Sequence, residues 1–294
     1  MRRILAFAFL LALAVRPAAA EDENDILRSL KFQTGKITLA RGIATLSLSQ
    51  NFVYLDPADT ETFLTKVWDN PPGTGADTLG MLLPKDADAL GPNGWAVVID
   101  YDAGGYVSDS DANTIDYNQL LKSMQEGTEE ANKARAKNGF AAITLVGWAK
   151  PPTYDAAAHK LYWAKQLRFE GNKDDMLNYN IRALGRRGVL TLNAVAGIDQ
   201  LAMIDRHVPE ILGMVSFNQG NTYAEYDPSI DKAAAYGIAG LIAGGVLAKV
   251  GFFKALLIGI LAFKKALVVG VLAVFGVVAK LAKRLFGKST PPTV

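Results

Sequence analysis

A short acidic loop carries the clearest spacing for metal chemistry in this sequence. Asp109, Asp111 and Asn113 alternate along the chain, and oxygen ligands at the first, third and fifth positions of a loop suit a hard cation such as Ca²⁺. The loop departs from an EF-hand, because Thr114 stands where glycine is needed and Leu120 where a bidentate glutamate is needed. Two interpretations remain open: a polar turn before a helix, or a weak cation site of another kind.

The same acidic segment allows an enzymatic interpretation. Asp100 lies at the end of a predicted strand and Asp102 just after it, shortly before Asp109 and Asp111, and paired carboxylates can act as general acid and general base. No hydrolase or nucleotide-binding motif accompanies them: the sequence has neither a G-x-S-x-G elbow nor a phosphate-binding P-loop. An acidic catalytic site is therefore kept as an alternative only.

Composition limits the other kinds of chemistry. The chain has 294 residues, no cysteine and two histidines, His159 and His207. A catalytic zinc site requires three protein ligands, so both histidines and a carboxylate would have to converge; we interpret the two histidines as ordinary polar residues. No motif calls for a cofactor. The net charge of +2 argues against nucleic acid as a partner, because phosphate binding requires a strong basic excess.

Two groups of residues are candidates for a binding surface. Trp148 and Tyr154 flank a rigid proline corner in the stretch GWAKPPTY, where they could present aromatic faces to a ligand. Arg182, Arg186 and Arg187 form the most concentrated basic patch, which could bind an anion or a lipid headgroup. Core packing of the aromatics and a solvated hairpin turn at the arginines are the competing interpretations.

Hydrophobic periodicity predicts short strands that would position these residues. Alternation of apolar and polar residues, interrupted by glycine-containing turns, is typical of antiparallel hairpins. The predicted strands lie within Gly35–Leu55, with a turn at Arg41-Gly42, and at Thr78–Leu83, Trp95–Tyr101, Ala142–Trp148, His159–Glu170, Met176–Leu184, Gly188–Val195 and Gly213–Phe217.

Three helices are predicted between the strands. One begins at DPADTETFLTKVW, with an aspartate cap at Asp56 and a proline in its first turn. Another begins near Asp116, where Asn113 or Thr114 could help to cap it. The last is GIDQLAMIDRHVPEIL, which we expect to bend or restart at Pro209. Strands and helices together indicate one α+β domain between about residues 21 and 230.

The N-terminus has the layout of a secretory signal. Arg2 and Arg3 precede an apolar stretch, and small residues end at Ala20 before an acidic start at Glu21. Residues 1–20 are therefore predicted to be a cleaved signal peptide. The domain that follows is expected to be exported.

Residues 231–288 are predicted to anchor the protein in a membrane, leaving a short tail at 289–294. Lys264 and Lys265 interrupt the apolar sequence, and two adjacent lysines at a helix centre would cost about 5–7 kcal/mol, so they separate two segments. The first segment, Tyr236–Phe253, is expected to cross from outside to inside, since the basic residues follow it. The small residues that would form a helix-packing face are Gly240, Gly244 and Ala248.

Several stretches resemble one known family. They are GGYVSDSDANTIDYNQLLKSMQ, GWAKPPTYDAAAHKLYWAKQL, LNYNIRALGRRGVLTLNAV and YDPSIDKAAAYGIAGLIAGGVLAK. Together they resemble the bacterial membrane-anchored proteins of domain-of-unknown-function family 2167, over about Gly35–Lys249. The resemblance implies an exported, membrane-anchored protein without an assigned activity, and it supplies no catalytic residues.

A second, distant resemblance concerns the fold alone. The stretch GVLTLNAVAGIDQLAMIDRHVPEILGMVSF is similar to the closing strand–helix–strand unit of PsbP and Mog1 proteins. It implies an antiparallel sheet sandwich with flanking helices, to which the predicted C-terminal transmembrane region would be added.

These observations favour a membrane-anchored envelope protein with a binding or scaffold domain. We expect it in the bacterial inner membrane, with the soluble domain on the periplasmic side. Its expected partners are the lipid bilayer and an envelope protein, or a second copy bound through the membrane helix. The alternatives are the acidic enzyme site described above, or a membrane-active protein acting through its glycine-rich, cationic C-terminus.

Overall fold

The computed structural model describes residues 23–88, 90–91, 94–137 and 139–244. The described strands are β1 (Lys36–Thr38), β2 (Ala44–Ser47), β3 (Phe52–Leu55), β4 (Gly80–Pro84), β5 (Ala96–Asp102), β6 (Ile143–Asp155), β7 (Lys160–Phe169), β8 (Met176–Leu184), β9 (Val189–Gly197) and β10 (Val215–Phe217). They form a seven-stranded sheet of order β3-β4-β5-β9-β8-β7-β6 and a three-stranded sheet of order β1-β2-β10. Every pairing is antiparallel. The predicted α+β class with antiparallel sheets is confirmed.

Helices connect and cover these strands. The described helices are α1 (Glu23–Ser29), α2 (Pro57–Thr62) with a π-helical extension (Phe63–Val67), α3 (Tyr117–Lys137), α4 (Leu201–Met214) and α5 (Ile238–Ala243). None of the helices in the described ranges is both long and apolar enough to cross a bilayer. The second half of the predicted segment Tyr236–Phe253, residues 245–253, lies outside those ranges.

The seven-stranded sheet is buried on both faces, and the alternation of side chains along each strand decides which core a residue joins. In β5, Val97 and Ile99 face the first core, whereas Ala96 and Val98 face the opposite side. The first core lies between this sheet, the three-stranded sheet and α4, whose Ile204 is fully buried.

Two separate cores cover the other face. Helices α1 and α2 pack over the β3–β5 half, where Phe63 and Leu64 are fully buried. Helices α3 and α5 pack over the β6–β8 half, where Met124 of α3 and Ile238 of α5 meet Trp163 in one cluster. Between these two cores, the centre of the sheet face carries polar side chains.

The helix N-termini follow the chemistry of their capping residues. The Asp56 carboxylate accepts a hydrogen bond of 3.0 Å from the Asp59 backbone N–H, which confirms the predicted cap of α2. At α3 the cap is Asp116 itself, which accepts from the backbone N–H groups of Asn118 (2.9 Å) and Gln119 (3.0 Å). The expectation that Asn113 or Thr114 caps this helix was wrong, because an aspartate immediately before the helix provides the acceptor.

The prolines interrupt fewer strands and helices than the sequence predicts. Strand β6 continues through Pro151 and Pro152 to Asp155, with register shifts along its length. This is possible because β6 is the edge of the sheet, where a missing backbone N–H removes no ladder hydrogen bond. Helix α4 also runs through Pro209 as one element, so of the two predicted alternatives, a bend or a restart, the restart was wrong.

The C-terminal part of the described chain is built into the domain. The backbone of Tyr106 accepts from Ala234 N–H (2.7 Å) and donates to the Lys232 carbonyl (2.9 Å). The Asp111 carboxylate accepts from the backbone N–H groups of Ile238 (2.9 Å) and Ala239 (3.0 Å), at the start of α5. The beginning of the predicted membrane segment therefore packs against protein, since Ile238 is fully buried in the second core.

These contacts predict a specific effect of Asp111→Ala. The substitution removes the acceptor for two backbone N–H groups of α5, so we expect unfolding free energy to fall by about 1 kcal/mol, the usual cost of a lost cap. It should also loosen the docked segment. Chymotryptic cleavage at Tyr236 should therefore become faster.

Asp116→Ala is the matched control, because it removes an aspartate cap of similar geometry from α3. Urea denaturation should show a comparable loss of stability, but cleavage at Tyr236 should stay at the wild-type rate. Equal cleavage rates at Tyr236 in the two variants would contradict the inference that Asp111 holds α5 against the domain.

Candidate functional site

Three of the residues singled out in the sequence meet beside the β6–β7 hairpin. The Tyr154 hydroxyl donates to the Asp109 carboxylate at 2.7 Å. His159 places Nδ1 3.3 Å from the Tyr154 hydroxyl and 3.6 Å from the same carboxylate. Tyr154 is the penultimate residue of β6 and His159 directly precedes β7, so the hairpin turn brings both to the loop that carries Asp109.

The turn itself is held by local hydrogen bonds. The Asp155 carboxylate accepts from the backbone N–H groups of Ala157 and Ala158, each at 3.0 Å. His159 closes the turn with a φ of 49°, in the left-handed region that residues with a Cβ seldom adopt. The imidazole is thereby aimed back across the hairpin towards Tyr154 and Asp109.

A row of aromatic rings extends this site. His159 stacks on Tyr223 with ring centres 4.1 Å apart, Tyr223 stacks on Tyr106 at 4.5 Å, and Tyr106 stacks on Tyr226 at 3.8 Å. The Tyr223 hydroxyl donates to the Val107 carbonyl and accepts from the Asp109 backbone N–H, both at 3.1 Å. We call this group the tyrosine cluster. Its members are Tyr106, Asp109, Tyr154, His159, Tyr223 and Tyr226.

Burial and hydrogen bonding set the protonation states of Tyr154, Tyr223 and Asp109. Burial and the hydrogen bond to Asp109 raise the pKa of Tyr154, and burial with the neighbouring Tyr106 raises the pKa of Tyr223. Burial opposes ionisation of Asp109, but the hydrogen bond from Tyr154 and the adjacent Tyr223 hydroxyl outweigh it, and the pKa of Asp109 is lowered. At neutral pH the cluster thus presents a carboxylate beside aromatic faces, a combination that suits a cationic or aromatic side chain of a partner.

The acidic residues proposed as metal ligands are engaged separately. Asp109 binds Tyr154, whereas Asp111 binds the N-terminus of α5. Asn113 lies in the 3₁₀ turn Ala112–Thr114 between them and α3. Among the residues that the structure describes, no three of the types His, Cys, Asp or Glu are grouped as a metal site would need.

The other two acids of the alternative catalytic site, Asp100 and Asp102, also have structural surroundings. The Asp102 carboxylate accepts from the Tyr236 hydroxyl at 3.0 Å and from the Gly104 backbone N–H at 2.9 Å. Asp100 is half-buried on β5, within the electrostatic range of Arg182. Asp102 thus helps to hold the segment that leads into α5.

The three arginines of the basic patch do not form one surface. Arg186 and Arg187 both direct Nε to the carboxylate of Asp231, at 2.5 and 2.9 Å, and this carboxylate is only 1% exposed. The hydrogen bond from Arg186 is the main reason that the pKa of Asp231 falls to about 2. Arg182 lies instead inside the domain, on the seven-stranded sheet, and is 8% exposed.

The remaining predicted residues have local roles where the structure describes them. Trp148 is half-buried and donates from Nε1 to the Tyr117 carbonyl at 3.2 Å. Gly240 lies against Tyr236, whose Cβ would be 2.6 Å from an added methyl group, and Gly244 ends α5 with a φ of 107°. Ala248 lies outside the described residues.

Tyr106, Tyr223 and Tyr226 were missed by sequence reasoning. Two of them occur in the segment NTYAEYD, more than a hundred residues after Tyr106. The available signal was weak: each tyrosine interrupts an otherwise polar, glycine- or asparagine-containing loop, where an aromatic side chain has no core strand to join.

Comparison with known proteins identifies the family. A family described as "Protein of unknown function (DUF2167)" matches residues 31–275. The chain belongs to this family. The sequence resemblance is thus confirmed, and the match includes both the tyrosine cluster and the docked segment of this DUF2167 protein. No curated protein matches the sequence.

Solved structures show a distant likeness to the DUF2167 chain. One is the cyanobacterial PsbP protein (CyanoP) of Synechocystis sp. PCC 6803, with a TM-score of 0.35 and 7% identity, covering 64% of this chain and 94% of that one. Another is the Ran-binding protein Mog1p of Saccharomyces cerevisiae, with a TM-score of 0.34 and 10% identity, covering 64% and 96%. These agree with the distant resemblance stated from the sequence and carry no argument about function.

The hydrogen bond between Tyr154 and Asp109 predicts a pH-dependent effect. Tyr154→Phe removes the donor, so the free energy of unfolding at pH 7 should fall by about 1 kcal/mol. A carboxyl group whose pKa is lower in the folded state than in the unfolded state stabilises the fold at any pH above the unfolded-state pKa. This contribution is lost as the pH falls through the folded-state pKa. The difference between wild type and variant should therefore shrink below the ordinary Asp109 value of 3.8.

Tyr162→Phe is the control for this measurement. The Tyr162 hydroxyl has no hydrogen bond within the described ranges, although its ring lies under Lys150. Urea denaturation at pH 7 and pH 3 should give a pH-independent difference for this variant. A pH-independent difference for Tyr154→Phe as well would show that Asp109 is not linked to the hydroxyl.

Proposed function

We propose that this protein is a membrane-anchored protein of the bacterial envelope whose exported domain binds or scaffolds a partner through the tyrosine cluster. One observation carries the proposal. The backbone of Tyr106, whose ring lies in the middle of the aromatic row, pairs directly with residues 232–234. The candidate binding surface and residues 232–234, which lead into the apolar C-terminal region, are thereby parts of one rigid assembly.

The docked segment sets where an anchor would begin. Asp231 is bound by two arginines, Asp111 caps α5, and Leu241 and Ile242 are buried in the second core. The anchoring function therefore falls to residues after Gly244, where apolar sequence alternates with single lysines and the pair Lys264-Lys265. A binding surface fixed close to such an anchor would stay near the membrane instead of moving on a flexible linker.

The chemistry of the tyrosine cluster supports a binding role. Tyrosine contributes a large contact area at low cost in conformational entropy and is enriched in interfaces that dominate binding energy. Tyr106 and Tyr226 are half-buried and Tyr223 is buried between Tyr106 and His159, and the rings are already stacked, so little ordering would be required when a partner binds. The ionised Asp109 adds specificity for a cationic group.

Cysteine labelling tests the anchoring. Ser229→Cys and Lys264→Cys, each in the full chain, should react with an impermeant thiol reagent from opposite sides of the inner membrane, with Ser229 on the periplasmic side. The positive-inside rule is the reason, since the basic residues follow the apolar sequence. The native chain has no cysteine to react. Labelling of both positions from the periplasm would contradict a membrane crossing between them.

Two truncations provide the matched control for the anchoring. A chain that ends at Gly244 keeps all described contacts of α5 and should be released as a folded periplasmic domain. A chain that ends at Ser229 loses Asp231 and the buried Ile238, so it should be unstable and degraded. Membrane retention of the longer truncation would place the anchor elsewhere.

Site-specific cross-linking tests the binding surface. A photoreactive amino acid at exposed Ser108, beside Asp109, should capture a partner in membranes that contain the full-length protein. The same group at exposed Lys173, in the turn at the other end of β7, is the control and should capture little. Capture at Ser108 should weaken when Tyr226→Ala shortens the aromatic row. Equal capture at both positions would contradict the proposed surface.

A further inference from the structure

A groove lies at the β3 edge of the seven-stranded sheet, between α1 and the end of the β3–β4 hairpin, and we name it the α1 groove. Its volume is about 450 Å³. The lining includes Leu27 and Arg28 of α1, the following Phe32, Val53 of β3, Leu83 of β4, and Lys85. The volume lies in the lower half of the range of about 300–1,000 Å³ that is typical of small-molecule sites. The α1 groove therefore suits one small ligand.

The floor of the α1 groove is apolar and continuous with a core. Val53 and Leu83 are direct partners in the antiparallel register of β3 and β4, so their side chains share one face. Leu83 is only 4% exposed, and Val53 and Leu27 pack against the same core under α1 and α2. A hydrocarbon chain in the groove would thus lie on side chains that are already packed.

Phe32 forms an exposed apolar wall at a fixed position. The side chain is 45% exposed, although hydrogen bonds hold the backbone on both sides of it. The Lys31 N–H donates to the Asp59 carboxylate at 2.9 Å, and Gln33 exchanges two backbone hydrogen bonds with Tyr54, at 2.8 and 2.9 Å. Because the ring is exposed on an ordered backbone, a ligand would gain apolar contact at little cost in ordering.

The charged side chains that line the α1 groove are cations. They are Arg28 and Lys85, and no carboxylate belongs to the described lining. Arg28 is paired with Asp25 at 3.1 Å, but both side chains are largely exposed, and exposed pairs of this kind contribute little energy. An apolar floor with two cations beside it is complementary to a ligand that has an apolar body and one anionic group.

We propose that the α1 groove binds a single-chain anionic amphiphile, a free long-chain fatty acid. Its alkyl chain lies against Leu27, Phe32 and Val53, and its carboxylate lies beside Arg28 and Lys85. The groove is at the β3 edge of the sheet, whereas α5 covers the half that ends in β6. The proposal is therefore independent of the tyrosine cluster at the β6–β7 hairpin, and its failure would leave the proposed partner binding unaffected.

Photoaffinity labelling tests the α1 groove. The full-length protein in phosphatidylcholine nanodiscs is irradiated with a dodecanoate that carries a diazirine, and the labelled peptides are mapped by mass spectrometry. Labelling should be saturable and concentrated in α1, around Phe32 and in the β3–β4 hairpin. Unlabelled dodecanoate should compete about tenfold better than dodecanol, since the alcohol lacks the charge-assisted contact, and dodecylamine should compete least.

A change of bilayer separates a free amphiphile from a membrane lipid. The same labelling is repeated in nanodiscs of phosphatidylglycerol, whose lipids have an anionic headgroup and two chains. Equal labelling in the two kinds of nanodisc supports a free fatty acid. Labelling that disappears in phosphatidylglycerol would assign the groove to a bilayer lipid and overturn the proposal.

Substitutions in the apolar lining make the result specific. Phe32→Asp places a charge at the exposed wall, and Leu27→Trp fills part of the groove. Each should lower labelling by about tenfold, because apolar contact with the chain is lost. Phe140→Asp is the matched control, since Phe140 is also exposed (52%) but lies under the Arg135 guanidinium and away from the groove. This variant should label like the wild type.

Substitution of the cations tests the headgroup. The double variant Arg28→Gln with Lys85→Gln should still bind the chain, but dodecanoate and dodecanol should compete equally. A preference for dodecanoate that persists in this variant would contradict the assigned position of the carboxylate.

Three further outcomes would overturn the proposal. One is labelling that is spread over the chain and resists competition by dodecanoate. Another is full labelling of the groove in both Phe32→Asp and Leu27→Trp; since these changes act at different walls, failure of one variant to fold leaves the other to decide. The last is labelling that disappears when two copies share a nanodisc, which would assign the groove to a second copy of the chain.

Discussion

The burial of both faces of one antiparallel sheet is the constraint on which the rest of this protein depends. The sheet is seven strands wide, and its strands carry apolar residues on both sides. Each face therefore needs a cover. The small sheet and α4 supply one cover, and α1, α2 and α3 supply most of the other. The last part is supplied by α5, which is why residues close to the apolar C-terminal sequence are part of the domain.

Charged groups fasten this last element in place. A buried carboxylate is stabilised only when it is well paired, and Asp231 meets that condition through two arginines. Asp111 does the same through the backbone of α5. Both contacts join segments separated by more than forty residues in sequence. Without the arginines, the carboxylate of Asp231 would be buried with no compensating charge, and without the N–H groups of α5, Asp111 would lose its hydrogen bonds. Loss of either set of contacts would therefore destabilise the domain.

Much of the fold could be predicted from local patterns. The strands from β2 to β9 and the helices α2, α3 and α4 follow alternation, helical periodicity and aspartate caps, which act over a few residues. The errors at prolines have one origin. The strand that became β6 was expected to end before Pro151 and Pro152, and α4 was expected to bend or restart at Pro209. An edge strand and a packed helix accommodate these prolines, and neither edge position nor packing is visible in a local window.

The sequence by itself determined the class of the fold, the alternation that divides the strands between cores, and the separation of an acidic domain from an apolar, lysine-containing C-terminal region. Only the tertiary structure decided which polar residues act together. In the folded domain, Asp109 contacts Tyr154 and His159, and Asp111 accepts hydrogen bonds from the backbone of α5. Arg182 lies buried on the seven-stranded sheet instead of on the surface. The physical reason is that a side chain's partners are set by strand order and by which face it occupies, and both depend on contacts between distant segments.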